Sequence, residues 1–209
     1  MPLPRLVLFV EGEGDCEAAP ILIRRMLSEN SERHGVLLDH DPFRIGDVTN
    51  ITGNSKSEWL RFIKQARRDR ANVAGILTIL DGDKKKVEAR NFCANEVAVE
   101  LAKRARESGA GSVFSLAVVF ACMEYETWLV AGHAEHFAKY NGPDLEQKRN
   151  AKQLLGRPYS PVPHQAEFTR SADLNMIRSR NLRSFRRLEN AVQQLLRATK
   201  SNAHVCTPQ

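Results

Sequence analysis

Leu6-Val-Leu-Phe-Val10-Glu11-Gly-Glu-Gly-Asp15 is the stretch whose reading decides the fold. Five apolar residues run without a break, then a carboxylate and two glycines follow. A strand buried on both faces of a parallel sheet reads this way, because neither face is left for polar residues. Ala18, Ala19, Ile21, Leu22 and Leu27 then form a helical stripe over residues 15–27, with Pro20 near its start.

The same couplet recurs downstream. Residues 73–80 are an apolar run ending in Asp81-Gly-Asp83, and residues 112–122 are a third, followed by Glu124 and Glu126. Residues 36–45 predict a further strand, interrupted by Pro42. Helices are expected after Ser55-x-x-Glu58, a capping-box spacing, and over residues 88–106, 124–140, 172–180 and 184–199. Residues 141–168 hold four of the nine prolines and read as irregular apart from a short helix over 145–155. A polar tail closes the chain. Strands alternating with helices predict an α/β fold, a mostly parallel Rossmann-like sheet flanked by helices. The expected division is an α/β domain over 1–140 and a C-terminal helical extension over 141–209 packing on it.

Composition bounds the function. The chain has 209 residues, 42% of them hydrophobic and 27% charged, which excludes wholesale disorder. No apolar run reaches the ~18 residues that would span a membrane. The scattered Cys16, Cys93, Cys122 and Cys206 fit free thiols in a reducing cytoplasm. The net charge of +6 is local: Arg178, Arg180, Arg183, Arg186, Arg187, Arg197 and Lys200 face only Glu189 in that segment. Arg183, Arg186 and Arg187 share a helical face. That face either contacts phosphates or pairs with acids of the chain itself.

Ligands of open parallel sheets bind beyond the carboxyl ends of the strands. Three acid-ended strands, if neighbours, bring Glu11, Asp15, Asp81, Asp83, Glu124 and Glu126 to one edge. Like charges so close cannot all stay ionised unaided. A divalent cation removes the conflict, and oxygen donors select Mg²⁺ or Mn²⁺. Two such ions could serve phosphodiester hydrolysis. Each piece also has a plainer reading. Asp15 can cap a helix, Asp81-Gly-Asp83 can be a turn, and Glu124 or Glu126 can open a helix. Lys84, Lys85 and Lys86 either reach a phosphate or form a solvated loop.

The order Glu11, helix, Asp81-x-Asp83 resembles the Toprim fold of topoisomerases, primases and OLD-family nucleases. Val10-Glu11-Gly12-x-x-Asp15 is similar to the OLD-type variant. The resemblance implies metal-binding and catalytic roles for Glu11, Asp81 and Asp83, and a ligand role for Asp15. Nearly the whole chain also resembles the DUF4276 family, through residues 10–15, Leu80-Asp-Gly-Asp83, Glu124-Tyr-Glu-Thr-Trp-Leu-Val130 and Arg183-Ser-Phe-Arg-Arg-Leu188. That resemblance implies an ABC- or AAA-type ATPase partner in an anti-phage module.

Other constellations carry less. His133 and His136 match no zinc motif, Asp81-Gly-Asp83 lacks the threonine of aspartyl phosphatases, and no Walker A loop is present. Trp59 and Trp128 lie on apolar stripes and are expected in the core. The expectation is a Mg²⁺- or Mn²⁺-dependent nuclease with two ions, acting on DNA or RNA. Lys84, Lys85, Arg183, Arg186 and Arg187 would hold the nucleic acid, and a homo-oligomer is compatible with the sequence. The alternative is an inactive binding or regulatory subunit of an ATPase.

Overall fold

The computed structural model describes residues 3–29, 35–52, 56–87, 90–137 and 140–209. Its centre is a six-stranded sheet in which β1 (Arg5–Val10), β4 (Val73–Asp81) and β7 (Ser115–Ala121) lie side by side. All of its pairings are parallel. Short strands β2 (Leu37–Leu38) and β3 (Phe43–Arg44) both flank β1, one above the other. They stand where one strand over 36–45 was expected. Pro42 cannot donate a ladder hydrogen bond, and the Asp41 N–H turns aside to the Asp39 side chain.

Both faces of the sheet are covered, as the unbroken apolar runs require. Leu6, Leu8 and Val10 of β1, with Leu77 and Ile79 of β4, face α1 (Glu13–Glu29) and α9 (Arg183–Lys200). Val7 and Phe9, with Ile76 and Leu80, face α2 (Lys56–Asp69) and α3 (Ala94–Arg106). The alternation is the period of two that a pleated strand imposes. Trp59 and Trp128 are both fully buried. Each donates its indole N–H at 2.9 Å, to the Leu101 carbonyl and the Ser184 hydroxyl respectively. Burial of each ring is worth about 3 kcal/mol.

The second half departs from the sequence reading in several places. Helix α3 begins at Ala94, preceded by the antiparallel pair β5 (Lys86–Val87) and β6 (Arg90–Asn91). The helix expected over 124–140 is broken into α4 (Glu126–Ala131) and α5 (Ala134–Phe137). The helix expected over 145–155 is instead α6 (Gly142–Leu145) and a 3₁₀ turn, Ala151–Leu155. Within the supposedly irregular stretch lies α7 (Pro161–Ser171). Its prolines fall in the first turn, where no intrahelical N–H bond is lost. Then come α8 (Leu174–Ser179) and α9. The expected polar tail supplies β8 (Cys206–Thr207), which extends the sheet beside β7. Ser55 of the capping-box reading, Glu88 and the 138–139 part of the helix reading lie outside the described residues.

Candidate metal and phosphodiester site

The three acid-bearing strands are consecutive in the sheet, so their carboxyl ends meet. Backbone amides bind the acids to one another's strands. The Asp81 N–H donates to Glu11 Oε2 at 3.2 Å, and the Tyr125 N–H donates to Asp81 Oδ1 at 2.9 Å. Gly82 makes the second contact feasible, because a Cβ there would stand 2.6 Å from the Ala121 carbonyl oxygen. After β7 the chain turns through Met123 at φ 66°, a left-handed conformation uncommon for a residue with a side chain. That turn delivers Glu124 and Glu126.

Asp15 bears out its capping reading. It lies in the first turn of α1, and its Oδ2 accepts the Gly12 N–H at 2.9 Å, the reaching-back half of a capping box. It also belongs to the acidic group. Burial raises the Asp81 carboxyl well above its ordinary range, and the charges of Asp15, Glu11 and Glu126 raise it further. Burial also pushes Glu11 up to about 7, against the lowering effect of the Asp81 N–H. Asp15 and Glu126 are shifted the same way, again chiefly by burial. Asp81 thus feels the other three as like charges, and Glu11 and Glu126 each feel Asp15.

Asp83 Oδ1 is buried without a hydrogen-bond partner, and the Lys84 ammonium is 3.7 Å from it. Asp83 therefore meets the Lys84 ammonium, whereas the charges that act on Asp81 come from Asp15, Glu11 and Glu126. Among the described residues, no three Asp, Glu, His or Cys side chains are gathered round a common point as a finished cage. Several donors are held by bonds within the protein instead. Glu124 accepts the Lys152 N–H at 3.3 Å and pairs with the Lys152 ammonium at 3.4 Å.

Sequence reasoning missed several residues at this edge. Asp47 holds Lys84 in a close ion pair and adds to the charge raising Glu11. Arg149 donates to the Asp83 carbonyl at 2.6 Å. Tyr159 donates to Glu126 Oε1 at 2.9 Å, and Gln165 donates to Asp15 Oδ1 at 2.7 Å. All but Asp47 come from the region after residue 141, and no local motif announces them.

The basic candidates separate. Lys84 lies at the acidic edge, whereas Lys85 is exposed on the following loop. Arg183 stands 3.5 Å from Glu146, at the amino end of α9. Arg186 is exposed. Arg187 lines a cavity of about 220 Å³ between α3 and α9, beside Val118 and Phe120. Much of the remaining cationic segment is spent internally. Arg178 pairs with Glu29 and Glu189, and Arg180 stacks over Phe137. His133 bonds to the Leu129 carbonyl and Ser171, as a structural histidine would.

Fold and site define a parallel α/β protein with an acidic carboxyl edge. The chain belongs to the family described as a domain of unknown function, DUF4276, whose model matches residues 10–193. Among curated proteins, none matches the sequence. Among solved structures it is similar to the C-terminal region of the OLD protein of Xanthomonas campestris pv. campestris. That pair has 12% identity and a TM-score of 0.45, with 95% of each chain covered. It is also similar to the C-terminal region of the Burkholderia pseudomallei OLD protein, at 13% identity and TM-score 0.45, covering 93% of this chain and 98% of that one. No described helix is long and apolar enough to cross a membrane.

Proposed function

We propose that the acidic edge is a divalent-cation site for hydrolysis of nucleic-acid phosphodiesters. One observation carries this reading. Three neighbouring strands end in carboxylates, and Glu11, Asp15, Asp81 and Glu126 are all shifted towards the protonated state. Lys84 and Lys152 pair with Asp83 and Glu124 at the rim, while burial still holds Asp81 and Asp15 above their ordinary range.

Glu11, Asp15, Asp81 and Asp83 are the residues that would hold Mg²⁺ or Mn²⁺, with Glu124 and Glu126 at the third strand end. A bound cation supplies an activated water and neutralises charge developing on the phosphate. The chain supplies the rest. Lys84, fixed between Asp47 and Asp83, stands ready to meet a phosphate oxygen. Arg149 and Lys152, both exposed, frame the other side of the carboxylates. Cations round an acidic centre suit a polyanionic substrate better than a neutral one.

The test is incubation of plasmid DNA and tRNA with the protein in Mg²⁺, Mn²⁺ or EDTA. A second arm adds the ATPase partner implied by the sequence resemblance. Cation-dependent cleavage, lost in Glu11→Ala and Asp81→Ala, is the expected result. Equal cleavage by wild type and both variants would overturn the assignment.

A second reading is an inactive subunit whose acidic edge contacts a partner. It is favoured by the internal ties of Glu124 and by the absence of a finished cage among the described residues. Under this reading Mn²⁺ fails to bind.

A further inference from the structure

We propose that Gln165 and Tyr159, from the region after residue 141, are positioning residues for the cation ligands Asp15 and Glu126. The proposal rests on the cation-site reading and deepens it: the C-terminal part of the chain sets the orientation of two carboxylates that the strand ends merely deliver.

Gln165 is 2% exposed and reaches Asp15 at 2.7 Å across 150 residues of sequence. Its amide has a built seat. A Cβ at Gly14 would stand 2.2 Å from Gln165 Oε1 and 3.0 Å from the Pro161 backbone, so only glycine lets α7 come this close. The helix is fastened from the other side too. Thr169 donates to the Gln165 carbonyl at 2.7 Å, and its hydroxyl lies 3.2 Å from the Tyr125 hydroxyl. Tyr125 in turn presents its N–H to Asp81. Tyr159 completes the arrangement at the amino end of the helix.

Each donor occupies one oxygen of its carboxylate. With Asp15 Oδ2 on the Gly12 N–H and Oδ1 on Gln165, the carboxylate plane is fixed, and the remaining lone pairs have defined directions. Glu126 is limited in the same way by the Tyr159 hydroxyl, which donates to its Oε1. Partners that orient ligands in this way typically contribute 10–100-fold to metal affinity.

The experiment is Mn²⁺ titration calorimetry on wild type, Gln165→Met and Tyr159→Phe, with circular dichroism and thermal melts in EDTA. Both variants keep the approximate size of the side chain; Tyr159→Phe removes the donating hydroxyl alone, and Gln165→Met removes the donating amide together with its carbonyl. The expected result is Mn²⁺ affinity weakened ~10–100-fold in Gln165→Met and ~10-fold in Tyr159→Phe. The metal-free folds should stay intact, a separation that a merely structural role would not produce. If Gln165→Met fails to fold, Tyr159→Phe decides alone, since it loses a single hydroxyl. Folded variants that bind Mn²⁺ as tightly as wild type overturn the positioning role and leave the cation site standing. A wild-type protein that binds no Mn²⁺ overturns both.

Discussion

Two carboxylates near β1 meet opposite electrostatic fates. Asp39, beside the amino-terminal half of the strand, is 1% exposed and receives Arg70 at 2.7 Å and Arg5 at 3.2 Å. Burial alone would raise its carboxyl. The Asp41 N–H and the two guanidiniums outweigh burial and hold it below the usual range. Asp81, at the carboxyl end of the neighbouring strand, is pushed up by burial and then by Asp15, Glu11 and Glu126. One acid has its counter-charges built in, and the other is surrounded by its own kind. Under the proposed reading, the difference separates a carboxylate that serves the fold from one that takes a cation as its partner.

The sharpest way to break this contrast is activity. Glu11→Ala and Asp81→Ala should each reduce cation-dependent cleavage at least ~100-fold, more than an outer partner would. Asp39→Asn in the same assay should keep most of the rate. Gel assays of plasmid and tRNA cleavage measure all three.

Stability should run the other way. Removing the Asp39 charge leaves two partly buried guanidiniums without it, costing ~2 kcal/mol after allowance for their exposure. Asp81→Asn relieves repulsion and should cost under ~0.5 kcal/mol, or stabilise. Urea unfolding in EDTA decides, and equal losses would erase the distinction.

The Asp39 side also sets a pH dependence. A carboxyl whose folded pKa is depressed contributes stability that is fully present above its unfolded value near 4. That contribution is lost as pH falls through the lower folded value. Wild type should therefore lose stability below about pH 4 more steeply than Asp39→Asn. Parallel pH profiles would show that the two guanidiniums contribute nothing.

The smallest expected effect concerns the rim. Arg149→Ala and Lys152→Ala should each lower the salt slope of single-stranded oligonucleotide binding in EDTA by ~0.7.

The strand half of the site was legible because buried parallel strands announce themselves as apolar runs, and the acids follow them directly. Glu11, Asp81 and Glu126 needed nothing beyond the next residues. Gln165 and Tyr159 were not legible. Their partners lie over thirty residues away in Tyr159 and 150 in Gln165, and no period or spacing carries such a contact. The β8 strand was hidden by its two-residue length, too short for alternation to register. Arg178 shows the converse limit. It reads as free positive charge in sequence, yet Glu29 and Glu189 occupy it.

The most direct test of the central claim is Mn²⁺ titration calorimetry at neutral pH on wild type and Asp81→Ala. The account predicts saturable binding by wild type and its loss in Asp81→Ala. Binding that is absent in wild type, or equal in the two proteins, would contradict it.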